Sequence, residues 1–111
     1  MLFRSVAAVH SLRRGAAEAL EAIAHGDPKS SRVVGRRIEQ IDLPQGAMIG
    51  AIVRARPPAD PLAPDDAGGY DVVMAHHDTV IQPEDHVLIF VSNKRLLPRV
   101  EKLFQVGVGF F

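Results

Sequence analysis

Residues 48–53 read Met-Ile-Gly-Ala-Ile-Val, and residues 87–91 read Val-Leu-Ile-Phe-Val. Both runs are apolar at odd and even positions alike. Each is therefore read as a central strand covered on both faces. Working outward, Val6–Leu12 is a third strand, and Arg13-Arg14-Gly15 forms a turn after it. Asp71–Ala75 is a fourth strand and makes a hairpin with residues 48–53. The tip of that hairpin is long: Ala55–Tyr70 carries four prolines, the acids Asp60, Asp65 and Asp66, and the pair Gly68-Gly69. Thr79–Gln82 is a short extended piece, and Pro83-Glu84-Asp85-His86 is a turn with Pro83 at its first corner.

Two segments have helical character. Val34, Ile38 and Ile41 fall at i, i+4 and i+7, which predicts a short helix ended by Leu43-Pro44-Gln45-Gly46. Leu96, Leu97, Val100, Leu103 and Phe104 recur at helical spacing, with Ser92 or Asn93 available as a cap. Pro98 is either a first-turn residue or a kink. Residues 16–25 are rich in Ala, Leu and Glu, and this composition asks for a third helix stopped by Gly26-Asp27-Pro28. A strand paired with Val6–Leu12 would occupy the same place. The fold class is α+β: four or five mostly antiparallel strands with two short helices.

The chain has 111 residues, 47% of them apolar and 23% charged, which is the composition of one soluble globular domain. There is no cysteine, so disulfides, thiolate zinc and thiol catalysis are excluded. The first residues show no long apolar stretch and no cleavage site, so no secretory leader is expected. Net charge is zero, which argues against a nucleic-acid partner. The signs are nevertheless segregated. Residues 1–56 sum to +4, residues 57–92 to −7 and residues 93–111 to +3. Either these segments compensate each other within the fold, or they form complementary patches between copies. Lys94, Arg95 and Arg99 lie where an acidic neighbour would reach them.

Few residues are arranged for chemistry. His76, Asp78 and His86 are the one candidate metal set, but adjacent strand residues point to opposite faces, so His76 and His77 cannot easily share an ion. No phosphate loop, dinucleotide fingerprint or nucleophile elbow is present. Glu18 and Glu21 would share a face on a helix but not on a strand. Arg36 and Arg37 in a first helical turn are mildly unfavourable unless an outside acid meets them. Arg54, at the end of an apolar strand, is the best candidate for a ligand contact, because guanidinium binds carboxylate or phosphate in bidentate fashion. Its structural alternative is a salt bridge. These residues suggest a module that binds or couples, not an enzyme.

Several runs then carry a family likeness. They are Ser31-Arg32-Val33-Val34-Gly35-Arg36, Ile41-Asp42-Leu43-Pro44, and Gly46 through Arg54. Asp78-Thr79-Val80-Ile81-Gln82-Pro83, Asp85-His86-Val87 and Val100 through Gln105 continue the series, and Arg13 through Ala19 precedes it. In this order the runs resemble the C-terminal RCK (TrkA-C) module of bacterial Trk-system potassium-uptake regulators, over most of residues 6–106. The resemblance implies a regulatory, non-enzymatic cytoplasmic module, peripheral to the membrane through its partner. It implies a homodimer that relays ligand state from an RCK N-terminal Rossmann domain to a potassium-translocating membrane subunit. NAD or an adenine nucleotide is expected only in that Rossmann domain, which this chain lacks, so no cofactor is expected here. In some relatives the module binds a small ligand such as a cyclic dinucleotide or a cation.

The resemblance also implies that residues 16–25 are a strand, against their composition. It divides the chain into a start at 1–5, the module at 6–106 with the 55–70 loop inserted, and an apolar tail at 107–111. Two departures stand out. Pro83-Glu84-Asp85 occurs where related sequences often have Pro-Gly-Asp, and without Gly a type I turn is expected. The Ala55–Tyr70 loop is longer than the usual tight hairpin and would cover or block a ligand cleft near it. Two other functions are carried from the residues alone: a free-standing sensor of small anions built around Arg54, and a metal-dependent hydrolase at His76, Asp78 and His86.

Overall fold

The computed structural model describes residues 6–12, 17–56 and 69–105. Five strands form one antiparallel sheet: β1 (Val6–Leu12), β2 (Ala17–Ile23), β3 (Ala47–Ala55), β4 (Tyr70–Met74) and β5 (His86–Val91). Their order across the sheet is β1-β2-β5-β3-β4. The two apolar runs at 48–53 and 87–91 are thus neighbours near the centre, with Ile49 opposite Ile89 and Ile52 opposite Val87. A helix, α1 (Leu97–Phe104), follows β5 and packs on one face. The expected α+β class, with five strands, is what forms. The start, the Arg13-Arg14-Gly15 turn, the tip of the 55–70 loop and the tail lie outside the described residues.

Residues 17–23 are a strand, so the helix predicted from their composition is corrected. Each residue from Glu18 to Ile23 has a partner on β5, and β1 pairs along the other edge. Two ladders satisfy the backbone of this segment, and that outweighs the small helix preference of Ala, Leu and Glu. Leu20, Ala22 and Ala24 are buried at every second position, as a strand with one core-facing side requires.

The short helix expected around Val34–Ile41 is also corrected. Only Ile38–Gln40 is helical, as a single 3₁₀ turn. The Ser31 hydroxyl accepts from the amides of Val33 and Val34 at 3.1 and 3.0 Å, which diverts two donors from a helix. Gly35 then takes φ +82°, and a Cβ there would lie 2.9 Å from Pro28 Cγ. Val33, Val34 and Ile41 still reach the core, carried by an irregular loop. That loop pairs with the extended piece expected at 79–82: Ile38 N donates to Thr79 O, Ile81 N to Arg36 O, and Gly35 N to Ile81 O.

The core lies between this loop, α1 and one face of the sheet. Leu20, Ile52, Ile81, Val87, Ile89, Val100 and Phe104 are its fully buried side chains of largest consequence. α1 is entered through a 3₁₀ turn at Lys94–Leu96, in which the Asn93 side chain accepts from Arg95 N at 2.9 Å. Pro98 sits within the first two helical positions, where a missing N–H costs nothing.

Candidate functional site: an open sheet face

His86 begins β5, and Asp85 ends the turn before it. The two side chains fall on opposite sides of the sheet, and each meets a partner of opposite chemistry. On the core side, Arg54 Nε donates to Asp85 Oδ1 at 3.0 Å and Nη2 donates to Oδ2 at 2.9 Å. Nη2 also donates to the Val80 carbonyl at 3.0 Å, and Gln82 N donates to Asp85 Oδ2 at 2.8 Å. Asp85 is 1% exposed, so its carboxylate depends on these donors in place of water. The hydrogen bond to Asp85 raises the Arg54 guanidinium above its ordinary value, with desolvation opposing. Two nitrogens of the fork that was a candidate ligand contact are therefore occupied by a carboxylate of the same chain.

This pair also pins the turn before β5. Asp85 N donates to Gln82 O at 3.2 Å, and Glu84, the third residue of that turn, has φ +67°. A positive φ at this position is type II geometry, so the type I expectation is corrected. Glu84 takes the backbone shape that Gly favours because three contacts hold it. Its own amide donates to Ala24 O at 2.7 Å, Ala24 N donates to Asp85 O at 2.8 Å, and Arg54 clamps Asp85.

On the other side of the sheet the arrangement differs. β3 and β5 are central, and among the described residues only one of their faces is covered, where the sequence predicts cover on both. Met48 is 60% exposed, Phe90 39%, Val72 66% and Met74 64%. Register explains the patch. Met48 lies opposite Phe90, Ala51 opposite both Leu88 and Met74, and Val53 opposite both His86 and Val72. The β-irregularity between Ile49 and Ala51 lets Gly50 take the Phe90 ring at close range, since a Cβ there would sit 2.6 Å from Phe90 Cε2. Glu21 comes from β2 and pairs with His86 through Nδ1, both half-exposed at the margin of this apolar area. The face thus carries the Glu21–His86 pair beside the apolar side chains of Met48, Val72, Met74 and Phe90.

The remaining candidates fall apart from one another. Glu18 is buried, whereas Glu21 is on the open face, as strand spacing requires. Arg36 donates to the carbonyls of Ser31 and Val34, and Arg37 pairs with Glu39 at 3.3 Å on the surface. His76 starts a turn whose amide donates to Thr79 Oγ1 at 3.0 Å, while His86 is committed to Glu21. Among the described residues no three metal-ligating side chains come together, so His76, Asp78 and His86 form no cluster. No described helix is long and apolar enough to cross a membrane. The open face is what reading the residues missed. Its signal is the second apolar side of both central strands, for which the described residues supply one covering layer.

Comparison with known proteins gives a consistent result. No family model matches the chain. The Trk system potassium uptake protein TrkA of Halomonas elongata is 55% identical over 103 residues, 93% of this chain and 20% of that protein. The chain is a homologue of TrkA. The TrkA proteins of Vibrio alginolyticus and Haemophilus influenzae are 50% and 39% identical over 102 residues, 92% of this chain and 19% of each relative. The chain spans about a fifth of the length of these curated relatives. This homology is consistent with the TrkA-C module that the ordered runs resemble.

Proposed function

We propose that this chain is a regulatory module of a Trk-type potassium-uptake system, acting without catalysis, and that two copies pair through the open sheet face. The observation that carries the system is the identity to TrkA along more than nine-tenths of the chain. The observation that supports pairing is the face itself. Its apolar centre favours burial, at about 25 cal/mol per Å² of surface removed from water. A second copy suits it because an isologous contact places the same patch on both partners. The Glu21–His86 pair leaves the face without net charge when the imidazole is protonated, so a like face is not repelled.

In this reading residues 6–106 are the module, and the ligand-sensing Rossmann domain belongs to the same regulator. The paired modules fix the spacing of two such domains and pass their state to the potassium-translocating subunit at the inner membrane face. Bulk catalysis is not part of the role, since the polar side chains of the sheet are spent on structure. The test is a segment exchange: this chain replaces the matching segment of a TrkA homologue, and potassium uptake is measured in cells. Uptake is expected to persist with the native segment and to fall with Phe90→Asp. Full uptake with Phe90→Asp contradicts the pairing role, and no uptake with the native, folded segment contradicts the regulatory role.

A further inference from the structure

The charge segregation in the sequence has a structural outcome on the side of the sheet away from the open face. Arg32 from the loop after β2, and Arg99 and Lys102 from α1, line a cleft of about 480 Å³. Asp42, Leu43, Pro44, Gln45 and Leu103 complete its lining. Bases of the first and last segments of the chain therefore converge here. Two acids of the middle segment are engaged elsewhere by other bases of the first, Asp85 by Arg54 and Asp71 by Arg56.

Among the described residues, the side chains of Arg32, Arg99 and Lys102 make no ion pair or hydrogen bond, and neither does that of Asp42. Arg99 and Lys102 are i, i+3 on α1, so like charges share one helix face, which is mildly destabilising. Arg99 lies close to the N-terminal end of α1, where the helix dipole disfavours a cation. Three like charges around one concavity, with no compensating contact in the fold, break the local rules in the way that binding sites do. The volume is in the range of small-ligand clefts, about 300–1,000 Å³.

We propose that this cleft binds a small phosphorylated molecule. The guanidinium forks of Arg32 and Arg99 match phosphate oxygens in bidentate fashion, and Lys102 adds a point charge. Asp42 accepts from a hydroxyl or amino group of the same ligand, which excludes a bare polyanion as the best fit. Leu43, Pro44 and Leu103 pack its apolar part. The site is independent of the pairing face, so failure of either leaves the other standing.

The test is a titration of the ¹⁵N-labelled 111-residue chain with pyrophosphate, and in parallel with ribose 5-phosphate, followed by amide shifts. Saturable shifts over residues 42–46 and 99–103 are expected, with ribose 5-phosphate losing its hydroxyl contact in Asp42→Asn. Arg32→Gln and Arg99→Gln are each expected to weaken binding by about tenfold or more, the loss of one charge-assisted contact. The double variant Lys94→Gln/Arg95→Gln, outside the cleft, is expected to change it by less than about twofold. All four substituted cations are exposed, so the fold is retained. An absence of saturable shifts, or equal losses inside and outside the cleft, overturns the proposal. Phosphatidylglycerol vesicles form the last arm: co-sedimentation without response to either soluble phosphate assigns the same chemistry to lipid headgroups and overturns the small-ligand site.

Discussion

Asp85 and His86 are consecutive residues, and each belongs to an acid–base pair, yet the two pairs differ in kind. Arg54–Asp85 lies on the core side, with the carboxylate 1% exposed and every donor directed at it from this chain. Glu21–His86 lies on the open side, with both side chains in contact with water at more than a third of their surface. Burial decides the role. A buried carboxylate that loses its guanidinium keeps its desolvation cost and has nothing to offset it. A half-exposed pair loses little, because water replaces the partner. The first pair therefore holds a turn in shape, and the second is left on a surface where another molecule can change its surroundings.

The largest expected effect breaks the core-side pair. Arg54→Met is expected to destabilise the chain by about 3 kcal/mol, the lower end for an orphaned buried charge, since Arg54 itself keeps contact with solvent. Denaturant unfolding measures this. A loss below about 1 kcal/mol would show that water reaches Asp85 and that the pair is ornamental. Phe90→Asp probes the opposite side. It is expected to leave monomer stability within about 1 kcal/mol, because Phe90 is exposed, while raising the dimer dissociation constant about a hundredfold or more through a charge buried at the contact. Sedimentation over a concentration series separates the two effects.

Smaller effects sharpen the contrast. Glu84→Gly removes the strain of a positive φ on a side chain that makes only an exposed contact with His25. It is expected to stabilise by about 0.5–1 kcal/mol, read as a rise in melting temperature. Glu21→Gln is expected to change monomer stability by less than about 0.5 kcal/mol, in contrast with Arg54→Met, and a double-mutant cycle with His86→Gln gives the coupling. The smallest effect is in acid. The Asp27 carboxyl is held below its ordinary value by the Ser30 amide first, then the Ser30 hydroxyl and the Lys29 amide. A depressed value means that the contribution is present above the ordinary aspartate range and is lost as pH falls through the folded value. The Lys29 and Ser30 amides are expected to exchange faster below that point, and Asp27→Asn to remove the pH step.

The same contrast between local and distant partners governs how much of the fold is legible in the sequence. The central strands declared themselves because β-branched runs with two apolar sides have few alternatives. The 17–23 strand did not, because Ala, Leu and Glu state a local preference and the deciding ladders come from residues far along the chain. The family likeness placed that strand, whereas composition misplaced it. The loop at 31–41 was misread for a local reason: apolar spacing says which residues go inward, and Ser31 and Gly35 decide that a helix does not carry them there. For the site, Arg54 was recognised as an anion binder by chemistry. That its anion is Asp85, thirty-one positions away in the chain, is a tertiary fact that spacing cannot express. The type II turn at Glu84 has the same origin, since the clamp that enforces it is assembled from three segments.

The most direct measurement is the mass of the 111-residue chain in solution by light scattering, from low to high concentration, beside Phe90→Asp. The account predicts a native mass rising to twice the 12.1 kDa of one chain, and a folded Phe90→Asp variant that stays at the single-chain value. A native chain that remains single at every concentration, or a variant that pairs as well as the native chain, would contradict the assignment of the open face to a second copy.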